Sequence, residues 1–103
     1  MGCRFVWRVG DDSYAPLLSV GDEIEYVEQH PRPGDLALLE VGPASVPRVA
    51  ELVCTGVHDV IVRDIRTGDE ECIAAPTVRR ASRVVGARSA AGVFTKLSRH
   101  WPV

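Results

Sequence analysis

Apolar and polar residues alternate along several short stretches of this chain, and a period of two is typical of β-strands with one buried face. Residues 4 to 9 place Phe5, Trp7 and Val9 on one face of such a strand. Residues 23 to 26 show the same alternation. We therefore predict two strands here, each packing one face on the core.

Residues 36 to 41 form the most apolar stretch, with one charged position near its end. This pattern predicts a strand that is buried on both faces. Glycine and proline residues separate the apolar stretches, which favours short strands joined by turns. We therefore predict a mostly β domain. Its other predicted strands are residues 46 to 54, 57 to 65, 71 to 75 and 78 to 87.

The spacing of apolar residues changes after Gly92. Basic side chains fill the gaps between them, and this pattern predicts a short amphipathic C-terminal helix. Residues 1 to 90 are then the β part of a single domain, and residues 91 to 103 are its basic amphipathic segment. The helix either docks on the β part or lies on a membrane surface or a partner. The apolar residues at helical spacing are Val93, Phe94, Leu97 and Trp101.

The composition is that of one folded domain, because the chain has 103 residues and a hydrophobic fraction of 46%. No apolar run approaches the roughly 18 residues that span a bilayer, and the first ten residues lack a signal-peptide core. We therefore expect a cytoplasmic protein. Its three cysteines are widely spaced and form no C-x-x-C pair, so we expect idle thiols, no metal site and no cofactor.

Charge is distributed unevenly along the chain. All 14 acidic residues lie at or before Glu71, whereas six of the 12 basic residues follow it. This basic end is either a surface for nucleic acid or another anionic partner, or it packs against the acidic part of its own domain or of a second copy. Few aromatic residues accompany the basic ones, which weakens the case for base stacking. The six basic residues are Arg79, Arg80, Arg83, Arg88, Lys96 and Arg99.

The residues from Gly10 to Pro16 are the candidate for chemistry. Asp11, Asp12 and Ser13 are typical of turns and helix N-caps, and taken alone Ser13 is such a cap. A serine hydroxyl becomes a nucleophile only if a base within hydrogen-bonding reach accepts its proton. It also needs donors for the oxyanion, commonly the backbone N–H groups of the turn that carries the serine.

Four motifs along the chain resemble the catalytic cores of LexA-type repressors and signal peptidases, and together they span residues 4 to 88. The first has the form Ser-x-x-Pro-x-Leu-x-x-Gly-Asp. A second Gly-Asp precedes the apolar strand, a hydrophobic-x-Arg unit follows that strand, and a Val-x-Gly unit comes near the end. The motif residues are Ser13, Pro16, Leu18, Gly21, Asp22, Gly34, Asp35, Val46, Pro47, Arg48, Val84 and Gly86.

This resemblance implies a LexA/signal-peptidase-like β-barrel or coiled β-sheets with a short C-terminal helix. It implies that Ser13 is the nucleophile, that Asp12 and Tyr14 belong to the oxyanion turn, and that position 47 supplies a lysine or histidine base. Tyr14 stands where the family usually has methionine. Pro47 has no titratable group, and the guanidinium of the next residue stays protonated. The resemblance therefore implies a weak or inactive serine endopeptidase.

Two histidines are alternative bases for Ser13. His58 lies in or before the strand predicted at residues 57 to 65, and we consider it as a candidate base. His30 lies in the proline-rich turn, and we expect it to be less able than His58 to reach Ser13. A surface or structural role accounts for either histidine equally well.

Three functions are consistent with these residues. The first is a small serine peptidase that cleaves a peptide or protein substrate. The second is a pseudoenzyme that binds an extended peptide or a protein terminus by strand addition and does not cut it. The third is association with nucleic acid through the basic C-terminal third. A homodimer is compatible with each of them.

Overall fold

A computed structural model describes residues 3–14, 18–44 and 46–96 of the chain. These residues form eight strands and a short 3-10 turn at Ala75–Thr77, and they contain no α-helix. No helix among them could therefore cross a membrane. The strands are β1 (Arg4–Arg8), β2 (Glu23–Val27), β3 (Leu36–Val41), β4 (Val46–Thr55), β5 (Asp59–Arg63), β6 (Glu70–Ala74), β7 (Val78–Arg88) and β8 (Phe94–Lys96).

All the described strands belong to one antiparallel sheet with the order β1-β2-β7-β3-β4-β5-β6, and β8 also pairs with β7. The long strand β7 joins the two halves of the sheet, because one part of it pairs with β3 and the other with β2. The prediction of a mostly β domain is confirmed. β1 and β6 lie at opposite ends of the path, so the described strands do not close into a barrel.

Strand β3 is buried on both faces, as its apolar sequence predicts. Leu36 and Leu38 pack into one hydrophobic cluster with residues of β2 and the end of β7. Ala37 and Leu39 pack into a second cluster with residues of β4, β5 and β6. Because side chains alternate along a strand, this single strand separates the two clusters and contributes to both.

The two Gly-Asp motifs form the same turn. Gly21 and Gly34 have φ angles of 92° and 94°, which a residue with a side chain rarely adopts. In each turn the aspartate N–H donates to the carbonyl three residues earlier, over 3.0 Å for Asp22 and 2.9 Å for Asp35. Each carboxylate in turn accepts the N–H of that earlier residue, over 2.9 and 2.8 Å. The motif therefore has a structural reason, since each turn leads into the next strand of the sheet.

The predicted C-terminal helix is wrong where the structure describes it. Residues Phe94–Lys96 form β8, which pairs with Gly86, Ala87 and Arg88 of β7. A tight turn between β7 and β8 reverses the direction of the chain. In this turn Gly92 has a φ of 89°, and its N–H donates to the Ser89 carbonyl over 2.8 Å. The Arg88 guanidinium lies 5.3 Å from the centre of the Phe94 ring. The rest of the predicted helix, residues 97 to 103, lies outside the described residues.

Candidate functional site

A groove of about 830 Å³ is lined by residues of β1, of β4 and of the segments that follow β1 and β5. Three segments line it: Trp7 and Arg8 of β1 with residues 10–14, residues 47–49 of β4, and Asp64 and Arg66 after β5. The groove thus brings Ser13 and Pro47 to one site, although 33 residues separate them in the chain. The resemblance implies that these two positions belong together.

Asp11 holds the turn that carries Ser13. The Ser13 N–H donates to Asp11 Oδ1 over 3.0 Å. A hydrogen bond from the Ser13 side chain, followed by that from its N–H, lowers the pKa of the Asp11 carboxyl below its usual 3.8. The side chain that binds the Ser13 N–H is therefore a carboxylate, and it is a weaker base than an ordinary aspartate.

Tyr14 connects the Ser13 segment to strand β4. Its hydroxyl accepts the Val49 N–H over 3.1 Å, and its ring meets the Trp7 ring edge-on at 6.4 Å. The ring also packs against the first hydrophobic cluster. The resemblance implied that Tyr14 belongs to the oxyanion turn, and the hydrogen bond to Val49 was not predicted. The signal for it was a tyrosine in place of an apolar residue, because a buried tyrosine hydroxyl needs a hydrogen-bond partner.

Tyr14→Phe is expected to lower the free energy of unfolding by about 1 kcal/mol, because the Val49 N–H loses its acceptor while the ring contacts remain. Urea denaturation measures the change. Tyr26→Phe is the matched control, since the Tyr26 ring stacks on Phe5 and its hydroxyl makes no hydrogen bond within the described residues. Equal losses in the two variants would contradict the role of the Tyr14 hydroxyl.

The residues around position 47 are charged but supply no nitrogen base. Pro47 is exposed, and the Arg48 guanidinium donates to Glu71 Oε1. This hydrogen bond raises the pKa of Arg48 further and lowers that of Glu71. Asp64 accepts the N–H groups of its own turn, and the bond from Thr67 is the main cause that lowers its pKa. Among the described residues that line the groove, none is lysine or histidine.

The structure does not bring either histidine to Ser13. His58 lies exposed in the turn between β4 and β5, where its carbonyl accepts the Ala75 N–H over 2.8 Å. His30 lines two other cavities, of about 190 and 270 Å³. Neither residue lines the groove. A base from His58 would therefore require a different arrangement of the β4–β5 turn.

The other predicted site residues lie in the core, at the groove or outside the described residues. Leu18 and Gly86 are buried, Leu18 in the first hydrophobic cluster and Gly86 in β7. Pro16 lies outside the described residues. Asp12 is exposed at the groove, and no hydrogen bond or ion pair involves its side chain within the described residues.

The basic end of the chain pairs partly with acidic strands of the same domain. Arg88 lies 3.3 Å from Glu25, and Arg80 lies 3.7 Å from Glu40. The Nε atom of Arg83 is buried and has no hydrogen-bond partner in the described part of the chain. Arg79 is exposed, whereas the Lys96 side chain and Arg99 lie outside the described residues.

The cysteines are all free and exposed. Partial loss of water around the thiol, followed by the negative charge of Asp59 and its hydrogen bond to the thiol, raises the pKa of the Cys72 thiol, which makes it less reactive. Among the described residues, no three His, Cys, Asp or Glu side chains are grouped so as to hold a metal ion.

The chain matches no protein-family model, and it has no match among curated proteins or solved structures.

Proposed function

We propose that this chain is a LexA/signal-peptidase-like domain that binds an extended peptide in the groove and cleaves it very slowly or not at all. The observation that carries the proposal is the composition of the groove. Ser13 and position 47 line it together, but its titratable side chains are aspartates, arginines and one tyrosine. Arginine stays protonated at neutral pH and cannot accept the serine proton.

The carboxylates are poor substitutes for the missing base. An efficient general base has a pKa near the working pH, and the pKa of both Asp11 and Asp64 is lowered below the usual 3.8. Loss of the base from a serine nucleophile costs on the order of 10⁴- to 10⁶-fold in rate. Peptide binding needs no base and remains available to the same groove.

The contacts of Ser13 also agree with a binding module. Its N–H donates to Asp11, so the serine stabilises the turn that forms one wall of the groove. This gives Ser13 a use that is independent of catalysis. The rings of Trp7 and Tyr14, which are only partly buried, complete the walls and provide contacts for peptide side chains.

Nucleic-acid association is the less favoured function. Two of the arginines that would carry it, Arg80 and Arg88, already lie beside Glu40 and Glu25. Each pairing reduces the positive charge that the surface offers to phosphate groups.

Digestion of a peptide library across roughly pH 6 to 10, followed by mass spectrometry, tests the proposal. We expect no cleavage that depends on Ser13, as judged against Ser13→Ala, and we expect the immobilised chain to retain a subset of the peptides. Rapid cleavage that disappears in Ser13→Ala would show an active serine peptidase with another base. If the chain neither cleaves nor retains any of the peptides, the proposed function is refuted.

A further inference from the structure

One edge of strand β4 faces the groove without a partner strand among the described residues. The pairing of β4 with β5 begins at Glu51, which lies opposite Arg63. The five residues before it, 46 to 50, pair only with β3. Beyond Arg63 the chain turns away through Asp64, whose carboxylate holds its own turn. The first half of β4 therefore presents a free edge to the groove.

Alternation along β4 shows which backbone groups this edge offers. Leu52 bonds to the β3 side, because its N–H donates to Asp35 and its carbonyl accepts from Gly34. Successive residues of a strand direct their N–H and carbonyl groups to opposite sides, so the odd-numbered residues of β4 direct theirs away from β3. Val49 agrees, since its N–H donates to the Tyr14 hydroxyl in the groove wall. The backbone groups that face the groove thus belong to Pro47 and Val49.

This edge has acceptors but no free donor. Proline has no N–H, and the Val49 N–H is already bonded to Tyr14. Among the described residues, no loop or turn N–H donates to the carbonyl groups of Pro47 and Val49, so these carbonyls can accept hydrogen bonds from a ligand. A strand from the middle of a chain presents both N–H and carbonyl groups, so its carbonyls would lose water here and find no backbone donor.

A peptide amino terminus fits this edge better than a mid-chain segment. Its ammonium group carries three donors, and no carbonyl group precedes it. Three arginines line the groove: Arg8 and Arg48 are paired with Glu23 and Glu71, and the charge of Arg66 acts on Asp64. No ion pair involves Asp11 or Asp12 within the described residues. These two carboxylates add a negative charge to the acceptor-only edge.

We propose that the groove captures the free amino terminus of an extended peptide, with the ammonium group bound by β4 carbonyls and by the carboxylates of Asp11 and Asp12. This inference rests on the proposed function, because it takes the groove as the peptide site. It goes further by naming which part of the peptide binds.

Retention of short random peptides by the immobilised full chain tests this inference. Two pools are compared, both with amidated carboxyl ends: one has free amino termini and the other is acetylated. We expect the free pool to be retained at least about tenfold more strongly, since acetylation removes the charge and two donors. Equal retention, or stronger retention of the acetylated pool, would overturn the inference and leave peptide binding intact. Retention of neither pool would overturn the proposed function as well.

Three variants distinguish recognition of the peptide amino terminus from a general affinity of the groove for cationic peptides. Asp12→Asn is expected to weaken retention of the free pool several-fold, whereas Asp69→Asn, on the exposed β5–β6 turn, is expected to leave it unchanged. Pro47→Ala restores an N–H to the edge, so the acetylated pool should gain relative to the free pool. If Pro47→Ala leaves the ratio of the two pools unchanged, the acceptor-only edge does not select the terminus.

Discussion

A Pro47→His variant is expected to cleave peptides at least about 10²-fold faster than the natural chain, in a reaction that depends on Ser13. The substitution places an imidazole in the groove that Ser13 lines. A positioned general base contributes about 10²- to 10⁴-fold. Because an imidazole with a pKa of about 6.5 must be neutral to accept the proton, the rate should rise between roughly pH 5.5 and 7.5 and then level off.

Fluorogenic substrates chosen from the retained peptides measure this gain. Pro47→Gln controls for the loss of the proline ring and for the new N–H, and it should stay at the natural rate. Adding Ser13→Ala to Pro47→His should abolish the gain. Equal activity in Pro47→His and Pro47→Gln would show that position 47 does not lie where a base can serve Ser13, and it would contradict the proposed peptidase-like arrangement of the groove.

The strands could be predicted because their sequences carry local signals. Residues 36 to 41 were predicted as a strand buried on both faces, and β3 has the same bounds and contributes to both clusters. The two Gly-Asp units mark turns because only glycine readily adopts the positive φ that each turn requires. These features depend on a few neighbouring residues, so no long-range information is needed.

The features that were missed depend on distant contacts. Phe94 has helical spacing with later residues, but a turn at Gly92 and pairing with β7 give it a strand conformation. Short amphipathic segments have weak intrinsic preferences, so neighbouring strands decide them. The bond from Val49 to Tyr14 joins residues 35 positions apart, and no local pattern encodes it.

Local sequence signals do not predict that Ser13 and Pro47 line the same groove. Hydrophobic periodicity gives no reason to bring these two residues together, and only the order of the motifs implied it. The free edge of β4 could not be predicted either, because it depends on where the pairing with β5 begins. The sequence thus indicated candidate residues, whereas the register of the sheet determines what those residues can bind.

Leu38→Ala and Leu39→Ala are each expected to lower the free energy of unfolding by about 2 to 5 kcal/mol, although the two side chains point to opposite faces of β3. Leu38 is 4% exposed in the first cluster, and Leu39 is 1% exposed in the second. Each truncation leaves a cavity that surrounding strands fill only partly. Either loss is a large share of the roughly 5 to 15 kcal/mol that stabilises a domain of this size.

Urea denaturation followed by tryptophan fluorescence measures both losses. Val57→Ala is the control, because Val57 is 89% exposed and its truncation should change stability by less than about 0.5 kcal/mol. If either leucine variant is too unstable to fold, Leu38→Met and Leu39→Met conserve volume and should each cost less than about 1.5 kcal/mol. A strand with only one buried face would make one of the two alanine variants as mild as the control. Comparable losses on both faces would show that β3 supports the two halves of the core, and with them the β4 edge that forms the groove.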